Sequence, residues 1–358
     1  MGIPKTKQVV FFMIDKKYSL FFIYCGVIII YLTLTYKTSA YQGKLIIAHR
    51  GASGYLPEHT LESAVLAYAM RADFLELDVV MTRDGHLIVM HDLTLNATTN
   101  VEKVFPDSSG NNGQYHIMEF SLEEIKKLRV HERSNKKGTG RAFNQRFPYE
   151  SLLFEVPTLE DMLQLVSGLN KSHGRVIGLY IEIKGAKIHR QYNLDPAKKL
   201  LDILERYNYR DSSDPVFIQS FDADTLKKLR YQHKTRLRLI QLVGENRWKL
   251  SDTDFTYLKS EKGLNEVSQY ADGIGPWMKQ LVTGVDFSGN IQITNLAKNA
   301  RRKNLLIHPY TFRADRLPDY VSTFDELLDV FFNEVGVDGI FTDFPDLVVS
   351  FLERKSAN

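Results

Sequence analysis

Leu45-Ile46-Ile47-Ala48-His49-Arg50-Gly51 and Phe74-Leu75-Glu76-Leu77-Asp78 decide how this chain is read. The first is an apolar run that ends abruptly in polar residues. That is the pattern of a strand buried on both faces which delivers side chains at its end. In the second, Glu76 and Asp78 stand two residues apart on a strand, so both carboxylates point to one face. Like charges side by side are costly unless a cation neutralises them or one takes up a proton.

The residues that follow add geometry. Val79-Val80-Met81-Thr82-Arg83 and His86-Leu87-Ile88-Val89-Met90 are two β-like runs joined by Asp84-Gly85, a strong hairpin signal. A two-residue loop pairs Arg83 with His86. Counting outward, that register predicts His91 directly opposite Asp78, with Cβ atoms roughly 4.5–5.5 Å apart.

Beyond this stretch, short apolar runs alternate with amphipathic ones. Strands are expected at Lys44–His49, Phe74–Val80, Val176–Ile183, Val216–Ser220, Leu237–Leu242, Gly273–Gly275, Asn304–His308 and Asp338–Thr342. Helical stretches lie between and after them, including Thr60–Arg71 and Thr158–Leu169, each with a threonine as N-cap. Eight strands alternating with eight helices predict an α/β fold, a (β/α)8 TIM barrel. A doubly wound open sheet is the alternative, but no G-x-G-x-x-G turn follows the first strand. Residues from about 93 to 156 break the alternation and read as an insertion after the second strand. They are rich in Asn, Ser, Gly and Lys, and only Ser121–Val130 looks helical. Directly following His91, the insertion is expected to project over the barrel mouth, either as a lid or substrate-selecting wall or as a solvated excursion.

The 358 residues carry 46 basic and 43 acidic side chains, a formal charge of +3, so no nucleic-acid-binding surface is implied. The single Cys25 excludes an internal disulfide framework and a cysteine metal cluster. It lies within the uncharged run Leu20–Leu32, which follows Lys5, Lys7, Lys16 and Lys17 and precedes Thr38-Ser39-Ala40. Residues 1–40 are therefore expected to be a cleaved secretory signal or an uncleaved membrane anchor. Ile23 and Tyr24 are too large for a lipoprotein signal ahead of Cys25. The basic end is expected to stay in the cytosol and the barrel domain, residues 41–354, to be exported to the periplasm or cell envelope. Membrane contact is expected through the N-terminal segment if it is retained.

In a β/α barrel the functional face lies at the C-terminal strand ends, and the polar residues fall there. The first strand ends in His49-Arg50, the second carries Glu76 and Asp78, the hairpin returns His91, and the third offers Glu182 and Lys184 on one face. Three carboxylates without cysteine make an all-oxygen site suited to Ca²⁺ or Mg²⁺ rather than Zn²⁺. Arg50 and Lys184 beside it are equipment for holding a phosphate. His49 and His91 can divide acid–base work, one taking a proton from the nucleophile and the other protonating the leaving oxygen. These residue types suggest phosphodiester cleavage. His59 and Gln219 read as structural polar groups, and His308 is open between a strand terminus and a site residue.

The sequence resembles the glycerophosphodiester phosphodiesterases. The motifs are His49-Arg50-Gly51, Pro57-Glu58-His59-Thr60, Glu76-Leu77-Asp78, Val89-Met90-His91-Asp92, Glu182-Ile183-Lys184, Gln219-Ser220-Phe221-Asp222, Ala271-Asp272-Gly273-Ile274-Gly275-Pro276, His308-Pro309-Tyr310-Thr311 and Phe341-Thr342-Asp343-Phe344-Pro345. They cover essentially all of the chain beyond residue 44, and the match is nearest to the periplasmic, GlpQ-like bacterial branch. The resemblance implies a TIM barrel with one divalent cation, Ca²⁺ in preference to Mg²⁺, held by Glu76, Asp78 and Glu182. It makes His49 and His91 the acid–base pair and puts Arg50 and Lys184 on the phosphate. The implied substrates are small deacylated phospholipids such as glycerophosphocholine or glycerophosphoethanolamine, giving sn-glycerol 3-phosphate and an alcohol.

Two other readings are available on the same barrel. A phospholipase C or D acting on intact lipid would need an apolar rim near the mouth. A non-catalytic surface-binding protein would be expected to have lost a histidine or a metal carboxylate, and all five are present.

Overall fold

The computed structural model describes residues 43–357 except 136, 137 and 139, so the expected targeting segment lies outside the described residues. Among those described, no helix is long and apolar enough to cross a membrane. Eight parallel strands form the barrel: β1 (Leu45–Ala48), β2 (Phe74–Met81), β4 (Gly178–Ile183), β5 (Val216–Ser220), β6 (Arg238–Val243), β7 (Gly273–Pro276), β10 (Leu306–Ile307) and β11 (Gly339–Thr342). They run in the order β10-β7-β6-β5-β4-β2-β1-β11. The last gap is bridged by Asp338 N donating to Ile307 O at 3.0 Å and Phe341 N to Pro309 O at 3.1 Å. Each strand falls within two residues of its expected bounds, because an apolar run that ends in Gly, Pro or a charge has few other places to stop.

The helices begin where their caps are written. Thr60 Oγ1 accepts from Ser63 N at 3.1 Å and starts the helix Leu61–Ala69. Thr158 and Asp161 form a reciprocal capping box for Leu159–His173, which Gly174 closes in the left-handed conformation at φ +66°.

Strand parity assigns the barrel interior. Phe74, Glu76 and Asp78 share the inner face of β2, and Tyr180 and Glu182 that of β4, with Asp78 paired to Glu182 and Glu182 to Gln219 across β5. The lower layer is aromatic: Tyr180 stacks on Phe217 at 4.8 Å between ring centroids and meets Phe341 edge-on at 4.9 Å. Such fully buried rings contribute about 1.5–3 kcal/mol each relative to exposure. They also form an apolar floor beneath the carboxylates. His308 belongs to that floor, fully buried, with Nδ1 hydrogen-bonded to the Tyr180 hydroxyl at 3.0 Å.

The short strand β3 (Leu87–Val89) turns back antiparallel on β2, as the hairpin signal predicts, but in another register. Val79 pairs with Val89 and Met81 with Leu87, so Asp78 lies opposite Met90, whose N donates to Asp78 O at 2.9 Å, and not opposite His91. Thr82 N bonds His86 O, leaving the three-residue loop Arg83-Asp84-Gly85 with Gly85 at φ +82°. The extra residue is drawn in because Asp84 also binds Leu122 N and Arg83 N bonds Phe120 O, tying the turn to the insertion.

The insertion is no solvated excursion. Leu95, Val101, Ile117, Phe120, Ile125, Leu128, Val130 and Phe154 form a core of their own on Val80 and Ile88. Its expected helix shrinks to Leu122–Ile125 because Val130 is taken into a β-bridge, its N donating to Phe154 O at 2.8 Å. One element escaped the strand pattern, a hairpin of β8 (Val282–Val285) and β9 (Ile291–Ile293). Ser288-Gly289-Asn290, with Gly289 at φ +83°, was its available signal.

Candidate active site

The C-terminal strand ends open into a cleft of about 720 Å³, and His49, Arg50, Glu76, Asp78, His91, Glu182 and Lys184 all line it. The chain therefore brings together every residue that the motifs single out for chemistry. Glu76, Asp78 and Glu182 each offer an oxygen, and these oxygens lie within 4.8 Å of one another. Two unit charges about 4 Å apart repel by roughly 4 kcal/mol at an effective dielectric of about 20. The site resolves this unequally. Burial, then the Asp78 charge, pushes Glu76 well above the usual carboxylate range. Burial likewise raises Glu182, to about 8, against the pull of Lys184. Burial also acts on Asp78, but Lys184, His91 and His59 outweigh it and hold that carboxyl well below the ordinary value.

The surroundings point inward. Lys184 Nζ lies 2.7 Å from Glu182 Oε1 and 3.5 Å from Asp78 Oδ1, and Arg50 Nε is 3.6 Å from Asp78 Oδ2. Arg50 sits in the left-handed region at φ +59°, at a cost of about 1–2 kcal/mol, which turns its N–H onto Glu76 Oε2 at 2.8 Å. Gly51 follows at φ +85°, where a Cβ would stand 2.4 Å from Ser63 Oγ; no other residue fits. Among the described residues, Asp78 Oδ1 and Gln219 Oε1 are buried without a hydrogen-bond partner. Orphaned oxygens beside converging carboxylates fit a hard cation, so the triad can hold a metal ion.

Each histidine has its own carboxylate. His49 Nδ1 lies 2.6 Å from Asp343 Oδ1, and Asp343 Oδ2 accepts from Arg146 at 2.6 Å and Arg313 at 2.7 Å. His91 Nδ1 bonds Asp92 Oδ1, while Asp92 Oδ2 accepts from Arg133 at 2.7 Å. Burial alone would raise both acids, but their arginines and histidines keep Asp343 and Asp92 below the normal carboxylate range. An ionised carboxylate on Nδ1 takes the N–H, which leaves the lone pair on Nε2. Burial, with Arg50 adding, lowers His49 to about 4; burial, Arg50 and Lys184 lower His91 to about 3. Both rings are neutral at physiological pH.

Sequence reasoning passed over much of this support. Glu58 takes a two-pronged grip from Arg133, at 2.6 and 2.8 Å, and accepts from Arg50 at 3.0 Å. His59, whose plainer reading was a turn residue, places Nε2 2.8 Å from Asp78 Oδ2. Both stand in the quoted Pro57-Glu58-His59-Thr60, which was the signal for them. Arg133 and Arg146 stand in the insertion, outside every quoted motif, and had none. The outer walls of the cleft come from Trp248, from Trp277 to Val285, and from Tyr310 to Tyr320.

Comparison with known proteins agrees with this geometry. The sequence profile described as "Glycerophosphoryl diester phosphodiesterase family" matches residues 49–347. A glycerophosphodiester phosphodiesterase of Haemophilus influenzae is 38% identical over 334 residues, covering 88% of this chain and 92% of its own length. One of Treponema pallidum is 33% identical over 331 residues, covering 87% and 93%. Among solved structures, an Oleispira antarctica phosphodiesterase in complex with the product sn-glycerol-3-phosphate shares the fold at TM-score 0.58 and 19% identity, over 86% of this chain and 96% of that one. A glycerophosphodiester phosphodiesterase from Agrobacterium tumefaciens does so at 0.54 and 23%, over 86% and 99%.

Proposed function

This chain belongs to the glycerophosphoryl diester phosphodiesterase family and is a phosphodiesterase that hydrolyses glycerophosphodiesters; on that premise we propose that it converts deacylated phospholipids such as glycerophosphocholine and glycerophosphoethanolamine to sn-glycerol 3-phosphate and an alcohol. The supporting observation is the convergence of two carboxylate-bound histidines, two cations and three acidic oxygens on one cleft.

Arg50 and Lys184 hold the phosphate. Glu76, Asp78 and Glu182 would hold one divalent cation, Ca²⁺ in preference to Mg²⁺, because converging protein carboxylates suit Ca²⁺ while Mg²⁺ tends to keep several of its waters. When bound, that cation supplies positive charge against the charge that develops on the phosphoryl oxygens. One of His49 and His91 accepts the proton of the attacking hydroxyl, which is water or the substrate's own glycerol hydroxyl. A new P–O bond forms, the P–O bond to the headgroup alcohol breaks, and the other histidine gives its proton to the departing oxygen. If the glycerol hydroxyl attacks, water opens the cyclic product in a second round with the roles exchanged. The acid takes its proton as the phosphate arrives, since that negative charge offsets the effect of Arg50 and Lys184 on the ring.

Purified full-length protein should release sn-glycerol 3-phosphate from glycerophosphocholine, lose that activity to chelator and regain it with Ca²⁺. Activity undiminished in excess chelator counts against the cation assignment. Export remains part of the proposal: fractionated cells should hold the activity in the envelope or periplasm, and activity confined to the cytosol would refute it.

One observation favours intact lipid as a second substrate class. The β8–β9 hairpin lines the cleft at Val282 and Val285 and carries Phe287 fully exposed at its tip, with Val285 48% and Ile293 41% exposed. An exposed aromatic tip is suited to a membrane interface. Hydrolysis of phosphatidylcholine vesicles at a rate comparable with glycerophosphocholine, and its selective loss in Phe287→Ser, would support this reading.

A further inference from the structure

Among the described residues, the insertion contributes none to the lining of the cleft. It nevertheless reaches both histidines, each through one arginine. Arg133 bonds Asp92, the carboxylate on His91, and grips Glu58 with its other nitrogens. Arg146, with its side chain only 5% exposed, bonds Asp343, the carboxylate on His49. It also donates to Ser53 O at 3.2 Å, and the Ser53 hydroxyl donates to His49 O at 2.7 Å. In both cases one carboxylate oxygen faces the imidazole and the other faces the insertion's guanidinium; on Asp343 that second oxygen also accepts from Arg313 at 2.7 Å, so Arg146 shares the hold there.

We propose that the insertion is a brace for the catalytic histidines, and that Arg133 and Arg146 are positioning residues, the first acting on His91 and the second on His49. A carboxylate held only by an imidazole can rotate about its own bond and let the ring turn. With its second oxygen fixed by a guanidinium it cannot, and the ring is held with Nε2 toward the cleft. The anchorage is rigid on the insertion side as well. His131 N bonds Thr98 O at 2.9 Å, Ser134 N bonds Ala97 O at 2.8 Å, and Ala142 N bonds Arg133 O at 2.8 Å, so the Arg133 backbone is tied to the insertion's own fold. The Arg146 guanidinium packs 3.7 Å from the Phe143 ring centroid and also donates to Asp315 at 2.9 Å. The two arms are separate: among the described residues, Arg133 and Arg146 share no hydrogen-bond partner.

The inference rests on the two-histidine reading, and double-mutant cycles on the full-length chain separate them. With glycerophosphocholine and saturating Ca²⁺, Arg133→Ala should lower kcat by about 10–10²-fold and Arg146→Ala, which leaves Arg313 on Asp343, by about 3–10-fold, both with KM within about threefold. In a His91→Ala background, Arg133→Ala should cost almost nothing more, while in a His49→Ala background it should keep its full cost. Arg146→Ala should behave in the mirror sense. An arginine that merely stabilises the insertion would carry the same cost in both backgrounds, and that result overturns the brace while leaving the histidines in place. If His49→Ala and His91→Ala keep the wild-type rate, the two-histidine reading falls and takes the brace with it. Should the alanine variants fail to fold, Arg133→Lys and Arg146→Lys enter the same cycles, because lysine keeps the charge but loses the fork. Their smaller losses should show the same pairing, and equal losses in both backgrounds again refute it.

Discussion

His49 and Asp343 meet at 2.6 Å, Nδ1 to Oδ1, across the seam where the first barrel strand pairs with the last. The bond joins residues 294 positions apart, and its geometry follows from β1 pairing with β11 in the register Ala48 to Thr342. Asp343→Asn keeps the shape but removes the charge that holds the N–H on Nδ1. It should lower kcat by about 10²–10⁴-fold with little change in KM. Steady-state kinetics on glycerophosphocholine measures this, and an unchanged kcat would mean that His49 needs no such orientation.

His59 touches only Asp78 among the triad, so its loss should act on cation binding before it acts on chemistry. His59→Ala should weaken Ca²⁺ affinity by about 10–100-fold while saturating Ca²⁺ restores most of the rate. Glu76→Ala, Asp78→Ala and Glu182→Ala should abolish activity at any Ca²⁺ concentration. Calcium titrations followed by activity and by calorimetry distinguish the two classes.

Stability of the metal-free protein should fall with rising pH. Glu182 is raised by burial to about 8, above its unfolded value near 4.3, so the folded state binds more protons through that window. Its contribution is present below the unfolded pKa and is lost as pH rises through about 8. Glu132, raised by burial and the Glu58 charge to about 8, acts in the same direction. Thermal melts in chelator from pH 5 to pH 8 should show a decreasing Tm, flattened by Glu182→Gln and by added Ca²⁺. A Tm that rises across this range would contradict the assignment.

The two histidines should be distinguishable by leaving group. Either His49→Ala or His91→Ala should slow glycerophosphocholine cleavage by about 10²–10⁴-fold. A glycerophosphodiester of p-nitrophenol needs little protonation as it departs. The variant lacking the acid should recover much of its rate on that substrate, and the variant lacking the base should not. Equal rescue of both would defeat the division of labour.

The sequence by itself determined whatever depends on local period. Apolar runs bounded by Gly, Pro or charge specified eight strands, capping residues set the helix starts, and the two-residue spacing of Glu76 and Asp78 put their carboxylates on one face. Those signals survive in one dimension because strand parity and cap hydrogen bonds involve residues only two to four apart. The tertiary structure alone decided whatever depends on which distant segments meet. The hairpin shifted by one residue because Arg83 and Asp84 found partners at Phe120 and Leu122, and no rule confined to the turn contains that competition. A polar stretch hid a packed core, because its apolar residues are spaced irregularly and gather only in three dimensions. Arg133 and Arg146 look like any basic residues in a loop. Their place behind the two histidines exists only because the barrel closes and buries Asp92 and Asp343 where those guanidinium groups arrive.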